Sequence, residues 1–155
     1  RTPARHYPLA RALAPHDRAP APRPGHGTTV GAAAEVCGVA GGELALWVDG
    51  EPKPGIHVYA PGSDNYIPIT VTLNAQPEIK TGKLAYPKSE RVTLLDEKVS
   101  VYQKPFRLTQ DVTLDKGAKA GSTVTVSGIV NYQACDDRVC YAPEKAPVTW
   151  TVLVK

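Results

Sequence analysis

Methionine is absent from the sequence, phenylalanine occurs once and tryptophan twice. A core dominated by those side chains is excluded, and the 42% hydrophobic content has to come from aliphatic residues and seven Tyr. No stretch approaches the ~20 apolar residues that a bilayer-crossing helix needs, so the residues read as a soluble chain. There is no initiator Met and no basic-then-apolar leader ending in a small-residue cleavage site. The sequence therefore reads as a processed or excised piece, with any signal peptide or membrane-spanning partner segment out of view. Cysteine is scarce too: Cys37, Cys135 and Cys140 are the only three. A zinc site usually wants four Cys, His or acidic ligands at tight spacing. Beyond the cysteine pair only Cys37 and His57 are on offer after residue 27, so no metal is expected.

The net charge of +3 is unevenly held. Residues 1–27 carry five Arg against Asp17, which makes that segment +4 and leaves the remainder at −1. A nucleic-acid binder shows its basic footprint on the folded domain, and here the footprint lies on a tail. Nucleic acid is therefore not an expected partner. The same segment holds six Pro and three of the four His, too irregularly spaced for a metal site. With little to bury, residues 1–27 read as a disordered, partly polyproline-like arm. Residues 28–42, small and apolar around Val36, Cys37 and Val39, read as a linker or edge segment, and a short helix is also open.

Beyond Gly42 the pattern has a period of two. Leu44, Leu46 and Val48 alternate before Asp49-Gly50, and Ile56, Val58 and Ala60 alternate against His57 and Tyr59. Ile67, Ile69, Val71 and Leu73 share one face, which is half-buried strand patterning. A short strand follows at Val99 to Tyr102. Then Phe106, Leu108, Val112 and Leu114 share a face with Gln110 as the exception. Val124, Val126, Val130 and Tyr132, and finally Val148, Trp150, Val152 and Val154, complete about seven strands. With fifteen Pro and thirteen Gly as punctuation, no amphipathic helix and no repeat, the chain reads as all-β. The expected fold is an immunoglobulin-like antiparallel β-sandwich over 43–155 with a disordered N-terminal arm.

Cys135 and Cys140, with four residues between them, lie between the last two strands, at what reads as the tip of a hairpin. A disulfide needs Cα atoms roughly 4.4–6.8 Å apart, which such a loop permits. The ring is so small that chain entropy gives only about 2 kcal/mol of stabilisation. Two explanations stay open at this point, a structural bridge and a redox-active dithiol that exchanges through mixed disulfides. Asp136 and Asp137 disfavour a nearby thiolate and Arg138 favours one, so the setting is not strongly activating. Tyr132 and Tyr141 flank the pair, as shields, as a docking rim or as ordinary strand-end packing.

The block Val130-Asn131-Tyr132-Gln133-Ala134-Cys135, followed by Cys140-Tyr141-Ala142-Pro143, resembles the signature of the N-terminal periplasmic domain of the thiol:disulfide interchange protein DsbD family. Pro54-Gly55-Ile56-His57-Val58-Tyr59 is similar to an early strand of that family, and Val101-Tyr102-Gln103 with the Phe106 to Leu114 run resembles its middle. The resemblance spans roughly Leu44 to Val154. It implies a periplasmic or otherwise extracytoplasmic domain that relays reducing equivalents from a thioredoxin-like donor to oxidised client proteins, in settings that include cytochrome c-type biogenesis. Thioredoxin-fold proteins are the implied partners, together with a membrane-embedded electron-transfer domain of the same protein. No cofactor or small-molecule substrate is implied. The resemblance makes Cys140 the sulfur that forms mixed disulfides and Cys135 the resolving one, with His57, Tyr59, Tyr132 and Tyr141 around them. Two departures stand out. Where relatives carry an aromatic cap loop, Asp96-Glu97-Lys98-Val99 is short and has no aromatic, and Ala142 stands where a second Pro is common. The alternative reading is a non-catalytic interaction module whose hairpin disulfide is structural. Cys37 reads as a buried or incidental thiol.

Overall fold

The computed structural model describes residues 27–32, 36–62, 65–94 and 96–155. All of the arm except Gly27 lies outside the described residues. Among them the regular structure is entirely β: β1 Thr28–Ala32, β2 Val36–Gly38, β3 Glu43–Pro52, β4 His57–Tyr59, β5 Thr70–Leu73, β6 Ile79–Ala85, β7 Glu90–Leu94, β8 Glu97–Tyr102, β9 Phe106–Leu114, β10 Thr123–Tyr132, β11 Ala134–Cys135 and β12 Glu144–Val154. They form three four-stranded sheets in the orders β1-β3-β9-β6, β2-β12-β10-β5 and β11-β4-β8-β7. The pairings are antiparallel except that of β2 with β12.

Period-two patterning explains the long strands. In β9, β10 and β12 buried and accessible residues alternate along the strand, as expected where one face meets a core and the other meets water. The inward sets of the first two sheets form the main core: Leu46 and Val48 from β3, Leu108, Val112 and Leu114 from β9, Val126 and Val130 from β10, and Trp150 and Val152 from β12. Trp150 also ties the two layers together, because its indole Nε1 donates to the Trp47 carbonyl at 2.9 Å. This is the expected immunoglobulin-like sandwich.

Five strands are additional to those expected from sequence, β1, β2, β6, β7 and β11, and of these β1 and β6 lack a clear period of two. β1 and β2 occupy sheet edges within the segment read as a linker or edge. β6 is largely exposed and carries a register shift between Thr81 and Leu84. Gln110, the odd residue of the β9 face, serves that bulge: its Nε2 donates to the Gly82 carbonyl at 3.0 Å and the Lys83 carbonyl at 3.3 Å. Periodicity places Ile67 on the inward face with Ile69, yet it is 41% exposed and β5 begins only at Thr70. The cause is local pinning: the Ile67 N–H donates to Gln133 Oε1, and the Ile69 N–H to the Tyr59 carbonyl, so this stretch follows β4 before it joins β10.

One close approach locks β3 to β9. Gly50 pairs with Phe106, whose ring lies flat against the glycine and stacks on Tyr102 at 4.4 Å between centroids. A methyl group at position 50 would overlap the ring. Gly50→Ala is expected to lower the unfolding free energy by about 2 kcal/mol through overpacking, read as a drop in urea midpoint at constant m. An unchanged midpoint would show that the ring has room to yield.

Candidate functional site

The β10–β12 ladder ends at the pair Tyr132 and Glu144. The chain then passes through Gln133 into β11, which leaves β12 and pairs with β4, placing Ala134 opposite Val58 and Cys135 opposite His57. The cysteines are therefore hooked into the third sheet, not held at the free tip of a hairpin. β4 is buried on both faces: Val58 belongs to the main core, and Tyr59 belongs to a second cluster with Leu94, Val99, Val101, Cys135 and Cys140.

Within the loop, the Tyr141 N–H donates to the Ala134 carbonyl and the Asp136 N–H to the Val139 carbonyl, each at 2.9 Å. Those two bonds bracket Cys135 and Cys140, which face each other as a non-hydrogen-bonded antiparallel pair. That is the pair type in which opposed residues come closest. Their Cα atoms lie 4.0 Å apart and the sulfurs are joined in a disulfide. Each cysteine is only 1% exposed.

The surroundings named from sequence divide into three groups. Tyr59, fully buried, places its hydroxyl 3.2 Å from Cys135 Sγ and 3.4 Å from Cys140 Sγ. Disulfide sulfurs carry no hydrogen, so the phenol is the donor to both. His57 is buried, and its Nδ1 lies 3.3 Å from the Cys135 carbonyl, which makes it a brace on the backbone of that residue. Tyr141 is half-buried and donates its hydroxyl to Asp136 Oδ2 at 2.7 Å. Tyr132, in contrast, packs in the main core and does not belong to the cluster around the sulfurs.

Three contributors were not singled out from sequence. Tyr66 stacks on Tyr59 with centroids 4.2 Å apart and planes 5° from parallel, so an aromatic cover exists, supplied by the segment before β5. Leu94 joins the cluster from the end of β7, beside a tight turn in which Asp96 adopts a left-handed φ of 67°. Gln133, 2% exposed, links the parts: its Oε1 accepts from Ile67, its Nε2 donates to the Tyr141 carbonyl at 3.4 Å, and its own carbonyl accepts from Tyr59. An aromatic beside a turn, and a polar residue before a cysteine, carry no periodic signal that would mark them. Free Cys37 is exposed on β2 and is not a member of this cluster, so of the two readings open from sequence the buried one is excluded. Among the described residues no three His, Cys, Asp or Glu side chains converge as metal ligands.

The loop's electrostatics centre on Asp136. Burial raises its pKa, but hydrogen bonds from the Val139 and Arg138 N–H groups and the Tyr141 hydroxyl, with the Arg138 charge, outweigh it and hold the carboxyl below its ordinary value. Tyr141 is pushed up to about 12 by burial, by its hydrogen bond to Asp136 and by that residue's charge. A carboxyl whose folded pKa is depressed adds stability that is complete above its unfolded value of about 3.9 and is lost as pH falls through the folded value. The melting temperature of the wild type should thus fall more steeply than that of Asp136→Asn as pH drops from about 5 to about 2. Parallel curves would contradict this. A stacked aromatic pair contributes about 0.5–1.5 kcal/mol beyond its buried area. Tyr66→Ala should therefore speed reduction of the folded domain by dithiothreitol up to roughly tenfold. An unchanged rate would show that Tyr66 does not govern access.

Residues 29–151 match the family model of the thiol:disulfide interchange protein DsbD, N-terminal domain. The match takes in β1 and β2, which the resemblance drawn from Leu44 onward left out. No curated protein sequence matches the chain. Among solved structures, the N-terminal periplasmic domain of ScsB from Proteus mirabilis is similar at a TM-score of 0.53 and 10% identity, over 79% of this chain and 43% of that one. This chain therefore spans less than half of that structure, and the likeness concerns the fold. The N-terminal domain of Neisseria meningitidis DsbD in its reduced form aligns at a TM-score of 0.48 and 18% identity, over 69% of this chain and 80% of that one. On the family match, which covers most of its length, the chain belongs to the family of DsbD N-terminal domains.

Proposed function

We propose that this domain exchanges its Cys135–Cys140 disulfide with thioredoxin-fold proteins outside the cytoplasm, passing reducing equivalents from a donor to oxidised client proteins. The observation that carries the reading is the closed disulfide in a ring too small to staple the fold, with one phenol touching both sulfurs. The family's interchange activity agrees with it. The periplasmic origin of the ScsB domain supports the compartment.

Cys140 is the partner-facing sulfur in this reading. It follows the exposed residues Asp137 and Arg138, whereas Cys135 is fixed in the β11–β4 ladder. A donor thiolate attacks Cys140 Sγ, the S–S bond breaks, and Cys135 leaves as a thiolate that takes up a proton. The donor's second thiolate then displaces Cys140, so the donor becomes a disulfide and the domain a dithiol. Delivery to a client reverses these steps. The Tyr59 hydroxyl lies where it donates to whichever sulfur carries negative charge. His57 holds Cys135 in register, Tyr141 braces the loop through Asp136, and Tyr132 anchors its root in the core. The cysteines themselves are the redox centre, so no cofactor enters. A membrane-embedded domain of the same protein is the natural source of electrons for such a relay.

A second reading, a permanent bridge stiffening an interaction module, draws on the 1% exposure of both cysteines. Trapping separates the two. Cys135→Ala is expected to accumulate a covalent adduct with a thioredoxin-fold protein through Cys140, stable on non-reducing gels and released by dithiothreitol. Cys140→Ala is expected to yield far less. Absence of any adduct from both variants would leave the structural bridge.

A further inference from the structure

Charge alone sets Asp136 against a thiolate, yet its carboxylate is already engaged in a different task. Oδ1 accepts from the N–H groups of both Arg138 and Val139 at 2.8 Å, and Oδ2 accepts from the Tyr141 hydroxyl at 2.7 Å. Its main-chain N–H donates to the Val139 carbonyl at 2.9 Å. Val139 and Tyr141 are the residues immediately before and after Cys140, and Asp136 immediately follows Cys135. The loop is thus tied on both sides of one cysteine to the neighbour of the other. None of these contacts contains a sulfur atom, so breaking the disulfide bond removes none of them directly.

We propose that Asp136, acting with Tyr141, is a positioning residue that keeps the two thiols of the reduced domain close to bonding distance. It thereby sets the effective concentration of Cys135 towards Cys140. The inference rests on the exchange reading above and specifies which side chain tunes it. Its effect falls on the closing step of client reduction. The Cys140 thiolate attacks a client disulfide and expels the client's second sulfur as a thiolate. The Cys135 thiolate then attacks Cys140 Sγ, re-forms the intramolecular disulfide and releases the client's first sulfur. The client gains the two electrons that the domain loses, and the released thiolates take protons from water. Preorganising that second attack favours rapid release over a lingering mixed disulfide.

Asp137 supplies an internal control, since it carries the same charge in the same loop and is exposed. The test equilibrates the full chain with reduced and oxidised glutathione, quenches with acid and measures the oxidised fraction by mass spectrometry. Asp136→Ala is expected to lower the effective concentration by at least about tenfold, equivalent to about 30 mV for this two-electron couple. Asp137→Ala should stay within about 1.5-fold of wild type, because it removes an exposed charge but no clamp. Asp136→Asn, which keeps an oxygen for the two backbone donors, should recover most of the loss. A loss of overall stability alone would shift melting of both redox forms together and leave the equilibrium unmoved. Equal shifts for Asp136→Ala and Asp137→Ala would overturn the clamp in favour of a plain charge effect. Should Asp136→Ala fail to fold, Tyr141→Phe decides: a fall of about threefold supports the clamp and no change overturns it. If the wild-type disulfide never opens in the folded chain, the exchange reading itself falls and takes the clamp with it. If wild type exchanges and the variants match it, only the clamp falls.

Discussion

Burial of β4 on both faces is the constraint on which the site depends. A strand with one wet face would leave Tyr59 in solvent. Here Val58 closes the main core while Tyr59, on the opposite side, fills the floor of the disulfide cluster. β11 can dock on β4 because Gln133 turns the chain out of the β10–β12 ladder and bonds to three neighbouring segments as it does so. The sandwich supplies rigidity, and this one turn converts it into a fixed position for two sulfur atoms. A site mounted on paired strands is held more tightly than one on a free loop.

The same packing creates an opposition between protection and access. With each cysteine 1% exposed, casual oxidants and small thiols meet a wall of Tyr59, Tyr66, Leu94 and Val99. Exchange requires local opening, and local openings draw on elements with few buried contacts. The segment carrying Tyr66 has exposed residues on both sides of that ring, Gly62, Asn65 and Ile67 at 41%, and its attachments include Gln133, the Tyr59 carbonyl, Glu97 and the Tyr86 hydroxyl. The loop that holds the sulfurs is bound more firmly, through the Asp136 carboxylate. Cover and redox pair share one attachment, since Gln133 accepts from Ile67 and donates to the Tyr141 carbonyl, so movement of the Tyr66 segment is coupled to the loop through that side chain.

What could be read from sequence followed the strength of the periodic signal. Burial alternates along β3, β9, β10 and β12, so these strands and the sandwich were legible from Leu46, Leu108, Val126 and Trp150 and their neighbours. β6 was illegible because Lys80, Thr81, Gly82 and Lys83 are all exposed and alternate with nothing. The cysteine block pointed to the site, and Tyr59 and His57 came with the resemblance. Tyr66 did not, because a stacking partner that arrives from a turn leaves no mark in spacing. The charge of Asp136 is plain in the sequence, and only the geometry reveals that it is engaged in three hydrogen bonds within the loop.

The most direct measurement mixes the oxidised, folded chain with a reduced thioredoxin-fold protein and follows both redox states by acid quench and mass spectrometry, with circular dichroism to verify that the domain stays folded. The account predicts that Cys135–Cys140 opens while the fold persists, faster than with dithiothreitol at equal thiol concentration, and settles at an equilibrium with both redox forms populated. A bond that stays closed until the domain unfolds would contradict it.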